Sequence, residues 1–239
     1  HGRGRISRLK HTGQVALVAD DFGLNPHVNR AILQGHEQGA LTGASLMMGQ
    51  AGTDEAVRMA RATPSLDIGW HLHLCHSRPL TCEQWPWGDS PAAAGMRLAF
   101  SPSARRLART EIRAQWEAFR AAGLPLRFFN THHHLHLHPW VSKVLLETVA
   151  GTDGAWFRGG AFRRLGPGES RDAAVTRQVG NLRNGAWRRL GNPPVPDSVW
   201  GLDRLHVMDA AEVRDVIRRL PPGMHEFIFH PGAAPDDRD

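Results

Sequence analysis

Cysteine is scarce in this 239-residue chain: Cys75 and Cys82 are the only two, and they lack a Cys-x-x-Cys spacing. Two thiols so placed are too few for a disulfide framework, and the setting they predict is a reducing cytoplasm. No stretch approaches the roughly 18 consecutive apolar residues of a membrane span. The longest clean run near the start, residues 15–19, is strand-sized. The basic beginning (His1, Arg3, Arg5, Arg8, Lys10) is followed by no apolar core, so no export signal is expected. Without an initiator Met, the sequence reads as a trimmed or partial chain. It shows no internal repeat and no recognisable nucleic-acid module, and no nucleic-acid partner is expected. What is present suits a globular α/β protein with a sizeable core: 41% of residues are hydrophobic and 22% charged. The formal net charge is +6, which favours acidic partners such as an anionic membrane face.

Residues 14–20 form an apolar run that predicts a buried strand, and Asn25-Pro26 then supplies a helix cap and first turn, with Gly39 closing that helix. Further strands are expected at 46–48, 67–74, 127–130, 155–158 and 226–229, and helices at 53–62, 103–122 and 140–150. Asp209-x-x-Glu212 resembles a capping box ahead of an amphipathic stripe (Val213, Val216, Ile217, Leu220), broken by Pro221-Pro222-Gly223. Strands alternating with helices predict a mostly parallel α/β fold in a single catalytic domain over residues 1–239. The exception is a basic, loop-rich insertion at about 159–200. From Arg158 to Arg189 there are eight arginines against two acidic residues. A solvated surface loop explains such a stretch, as does a flap over substrate or a basic patch facing a membrane.

The chemistry-bearing residues fall at predicted strand ends. Asp20-Asp21 ends the first strand, His71 and His73 the third, and His230 the last; His132, His133, His134, His136 and His138 follow the strand ending at Asn130. In parallel α/β sheets and barrels the carboxyl ends of strands build the active site, so these positions are expected to converge. An Asp-Asp pair can also be a turn or cap, and a lone His-Pro is commonly structural. Five imidazoles in seven residues are poor core material, and they favour metal binding. One carboxylate and two imidazoles leave coordination positions open for catalysis by a divalent ion, Zn²⁺ or Mg²⁺. A second carboxylate beside the ligand has the position of a general base, and the pattern reads as hydrolysis.

Five segments carry a resemblance: Ala19-Asp-Asp-Phe-Gly-Leu-Asn-Pro-His-Val-Asn29, Gly39-Ala-Leu-Thr-Gly-Ala-Ser-Leu-Met47, Ile68-Gly-Trp-His-Leu72, Thr131-His-His-His-Leu-His-Leu-His-Pro139 and Phe229-His-Pro-Gly232. On these the chain resembles the YdjC-like carbohydrate deacetylases, relatives of the polysaccharide deacetylases. It is most similar to the hopanoid biosynthesis-associated (HpnK-type) branch, through Asn130 and the run Leu220-Pro-Pro-Gly223. The resemblance implies a distorted (β/α) barrel of the polysaccharide-deacetylase-like type and metal-dependent removal of the N-acetyl group from an N-acetylglucosaminyl hopanoid. It also implies one divalent ion on Asp21, His71 and His132, with Asp20 as general base and His230 as general acid. Arg158, His134 and Trp70 are candidate substrate contacts. Trp70 and His73, and the short chain after Gly232, depart from the family's usual pattern. A soluble N-acetylated chitooligosaccharide is the alternative substrate, and a non-catalytic metal- or sugar-binding protein the alternative class. Peripheral contact with the inner membrane and a homo-oligomer stay open.

Overall fold

The structure, a computed structural model, describes residues 14–190, 193–204 and 208–232. Its centre is β1 (Gln14–Phe22), whose apolar run is buried from Val18 through Asp20. A near-continuous apolar strand marks a parallel sheet covered on both faces. Helix α1 (Pro26–Glu37) starts where expected, because the Asn25 side chain accepts a hydrogen bond from the Val28 amide at 2.9 Å. β2 (Gly43–Leu46), α2 (Thr53–Ala62) and β3 (Asp67–Leu72) follow. Two helices come next, α3 (Pro91–Phe100) and α4 (Pro102–Ala121), each opened by a capping serine (Ser90, Ser101) and a proline in its first turn. The chain continues through β4 (Phe128–Thr131), a 3₁₀ segment (His132–Leu137), α5 (Pro139–Thr148), β5 (Trp156–Phe157) and β6 (Ala161–Phe162). It ends with α6 (Arg171–Leu190), β7 (Ser198–Trp200), α7 (Ala210–Arg218) and β8 (Met224–Phe229).

The strands lie in the order β5-β4-β3-β2-β1-β8-β7-β6, and the paired neighbours run parallel. The sheet is a distorted (β/α) barrel with an open seam: among the described residues no ladder joins β5 to β6. Since the strands run one way, their carboxyl ends share one side of the molecule. No helix of the described residues is long and apolar enough to cross a membrane.

Three expectations change. The second strand is earlier than residues 46–48, because Met47 already turns away after pairing its amide with the Phe22 carbonyl. Helix α3 was not foreseen. The stretch 159–200, expected to be loop-rich, holds the 20-residue helix α6. Gly180 and Gly185 disguise it, since glycine weakens a helix interior by about 1 kcal/mol. At Gly180 the reason is packing: a Cβ there would sit 2.4 Å from the Phe162 ring.

Candidate active site

In a regular strand Asp20 and Asp21 would face opposite sides of the sheet. The β1–β2 register shifts between Ala19 and Phe22, and Asp21 takes a left-handed backbone with φ 66°. This bulge aims both carboxylates at the strand-end face, at a backbone cost on the order of 1 kcal/mol. Gly23 completes the turn at φ 93°, where a Cβ would meet the Met47 carbonyl at 2.8 Å.

Asp21 meets two imidazoles. Its Oδ1 lies 3.2 Å from His71 Nε2 and 2.9 Å from His132 Nδ1, and ligand atoms of the three residues lie within 4.8 Å of one another. Asn130 fixes the tautomer of His71. The Asn130 amide donates through Nδ2 to Asp20 Oδ1 at 3.3 Å, which leaves Oδ1 to accept from His71 Nδ1. The proton therefore sits on Nδ1, and the Nε2 lone pair faces the Asp21 oxygen. Both atoms are buried without a hydrogen-bond partner. Two acceptors held face to face fit a cation between them, so these residues suit a divalent metal on the chemistry of their donors. Without an ion the rings themselves take the cation's place: burial raises the Asp21 carboxyl, but His132 and His71, acting then as donors, outweigh it and hold it well below the usual range.

Asp20 is almost fully buried and forms no part of that triad. The Arg158 guanidinium forks onto it, Nη1 to Oδ2 at 2.5 Å and Nη2 to Oδ1 at 2.9 Å, and Ser45 donates to Oδ1 at 2.5 Å. Burial raises this carboxyl too, yet Arg158, with help from His71, holds it far below the usual carboxylate range. Arg158 also donates through Nε to Glu226 Oε1 at 2.7 Å, inside the barrel. Two buried carboxylates thus share one cation. Burial pushes Glu226 up to about 7 against the pull of Arg158. Its ordinary value is 4.5, so between these pH values the native chain holds a proton that the unfolded chain has released. Stability therefore falls as pH rises through that window. Glu226→Gln is expected to flatten the fall, checked by thermal melts at pH 5 and pH 8; an unchanged pH slope would refute it.

His230 completes the cluster from the end of β8. Its Nε2 stands 4.0 Å from an oxygen of each aspartate, and its Nδ1 is buried without a partner. Burial outweighs the pull of Asp21 and Asp20 and sets this imidazole below its usual range.

The remaining candidates have other surroundings. His73 is fully buried, donates through Nε2 to the Met48 carbonyl at 2.9 Å and accepts at Nδ1 from Ser77; burial pushes it down to about 3. His136 is a core residue between Phe157 and Trp187. His134 packs on Phe162 and His136, while His133 stacks on the exposed His76. Trp70 is fully buried against Trp116, with ring centroids 5.1 Å apart, and presents no surface to a substrate. Arg158 is likewise enclosed, and it grips Asp20 and Glu226 instead of facing solvent. The structure thus gathers Asp20, Asp21, His71, His132 and His230 around one point. It adds Ser45, Asn130 and Glu226, which sequence reasoning gave no role. Glu226 had a signal, as the one acid in Met224-His-Glu-Phe-Ile-Phe229; Ser45, in a strand of small residues, had none.

The profile of a family described as YdjC-like protein matches residues 14–239. A carbohydrate deacetylase from Brevibacillus brevis is 35% identical over 136 residues, covering 56% of this chain and 54% of that one. One from Vibrio campbellii is 34% identical over 134 residues, 55% of this chain and 53% of the other. The chain thus spans about half the length of the curated relatives it matches. A crystal structure of a candidate cellobiose-phosphate cleavage protein from Enterococcus faecalis V583 superposes with TM-score 0.63 at 18% identity, covering 92% of this chain and 81% of that one, and supports the fold.

Proposed function

Because this chain belongs to the YdjC-like protein family, we propose that it is a metal-dependent hydrolase that removes the N-acetyl group from an N-acetylglucosamine-containing substrate. One observation carries the reading: the buried acceptors Asp21 Oδ1 and His71 Nε2 face each other beside His132, next to a separate carboxylate clamped by Arg158. The names of the relatives, carbohydrate deacetylases, support the same activity.

Asp21, His71 and His132 would hold the ion, which when bound supplies Lewis acidity toward water and the acetamide carbonyl. Asp20 receives the proton of the attacking water. Of its two oxygens, Oδ2 has the spare capacity, because Oδ1 already accepts from Ser45, Asn130 and Arg158. The clamp fixes position and charge while lowering basicity. His230 would protonate the departing amine. Burial lowers its own affinity for protons, so the proton it passes on is the one that Asp20, whose Oδ2 lies 4.0 Å from His230 Nε2, has taken from water.

The finer substrate is an N-acetylglucosaminyl hopanoid, read from the HpnK-type features Asn130 and Leu220-Pro-Pro-Gly223, with the protein acting at the inner membrane's cytoplasmic face. Asn130 carries a chemical reason beside the resemblance: an Asp at this position could not donate to Asp20 and would add a third anion. The test is acetate release from N-acetylglucosaminyl hopanoid and chitobiose in parallel, after chelation and after adding Zn²⁺ or Mg²⁺. Chelation is expected to abolish release and one ion per chain to restore it. Full activity in chelator would refute the metal, and several ions bound without acetate release would favour a sequestering protein.

A further inference from the structure

Among the described residues, the exposed large apolar side chains fall in two stretches of the chain. Leu80, Met96 and Phe100 lie between β3 and β4, and Val175, Val179 and Leu182 lie on α6. Leu182 is 84% exposed and Phe100 78%. Both α3 and α6 pack against the His132–Leu137 segment, which carries a metal-ligand candidate. The two helices that carry most of these apolar residues thus border the segment that follows β4.

Helix α6 has a defined outer face. Its inner face holds Ala173, Gly180 and Trp187, all buried, with Asn184 donating to the Gly159 carbonyl at 2.6 Å. On the opposite face Val175, Val179, Leu182 and Ala186 are exposed at i, i+4, i+7 and i+11, an apolar stripe turned to solvent. Arg171 and Arg189 lie about five turns apart on that face and bracket the stripe over roughly 30 Å. Arg164 and Arg177 pair with Glu169, and Arg188 with Asp197. Exposed Arg163, Arg171 and Arg189 have no ion pair among the described residues.

We propose that the outer face of α6 is a docking surface for an anionic lipid bilayer. An apolar stripe bracketed by arginines is the pattern of an interfacial helix, with apolar groups entering the acyl boundary and guanidinium groups meeting phosphates. Charge decides against a second copy of this chain. Paired stripes would bring the arginines of two basic protomers together, in a chain of net charge +6. The inference rests on the lipid-linked reading above and deepens it, by naming the surface that would deliver such a substrate.

The test is co-sedimentation of the full chain with vesicles of 7:3 phosphatidylcholine to phosphatidylglycerol, beside phosphatidylcholine alone, for wild type and Leu182→Asp. Binding is expected only with the anionic vesicles and falling steeply with salt. Leu182→Asp should lower it by about 10-fold or more while leaving acetate release from chitobiose unchanged. Equal sedimentation of the variant and the wild type would overturn the surface. So would a dimer in solution that Leu182→Asp dissociates without any vesicle binding. Acetate release without vesicle binding sinks the docking surface alone. Vesicle binding that Leu182→Asp abolishes, with no acetate released from either substrate, upholds the surface and sinks the deacetylase reading.

Discussion

Asp20→Asn is expected to lower kcat for acetate release by about 10³-fold while metal content and KM stay near wild type. The asparagine keeps the shape of the carboxylate but cannot take the proton of the attacking water. It also leaves the metal candidates untouched, because Asp20 touches Arg158, Ser45 and Asn130 while Asp21 faces His71 and His132. The fold should persist, since Arg158 still has Glu226. Steady-state kinetics with metal analysis check this. A kcat within about threefold of wild type would remove Asp20 from the chemistry. Loss of metal together with activity would place Asp20 among the ligands.

The second large effect concerns stability. Arg158→Met should cost on the order of 3–5 kcal/mol, because it strands the ionised Asp20 in the barrel interior without the guanidinium that pairs it. At about 2–4 °C per kcal/mol for a chain of this size, Tm should drop by roughly 10 °C. Arg158→Lys should recover only part of this, since a single ammonium cannot fork onto one carboxylate while reaching another. Adding Glu226→Gln to Arg158→Met should recover little of the loss, because burial keeps the proton on Glu226 once the opposing pull of Arg158 is gone. Thermal melts decide. A fall of under 2 °C for Arg158→Met would mean that the ion group contributes little to stability, and a large recovery in the double variant would mean that Glu226 is ionised there.

Much of the barrel was legible because its strands are buried on both faces and so read as unbroken apolar runs. Proline and a capping side chain marked the start of α1 to the residue. The meeting of the polar residues was legible for a related reason, since strand ends of a parallel sheet share one side; the choice of Asp21, His71 and His132 among them came from the family resemblance, and the three do lie together. The bulge that turns Asp20 and Asp21 to the same side was not readable, because it arises from register with β2. Nor was the role of Arg158 readable. Its partners lie 138 and 68 residues away in sequence, and only barrel curvature brings them together. Five histidines in one tract favoured metal binding with His132 alone as ligand, and backbone and packing set the other four apart from the triad. His133 and His134 adopt left-handed backbones, and His136 becomes core.

The open seam between β5 and β6 couples the barrel wall to the site. Among the described residues backbone pairing does not close it; the crossing residues 158–160 begin with Arg158, and its guanidinium reaches β1 and β8 across the barrel interior. The contact that spans the gap is also the one that orients Asp20. Loosening that wall and displacing the Asp20 carboxylate are therefore a single event, tied through one guanidinium.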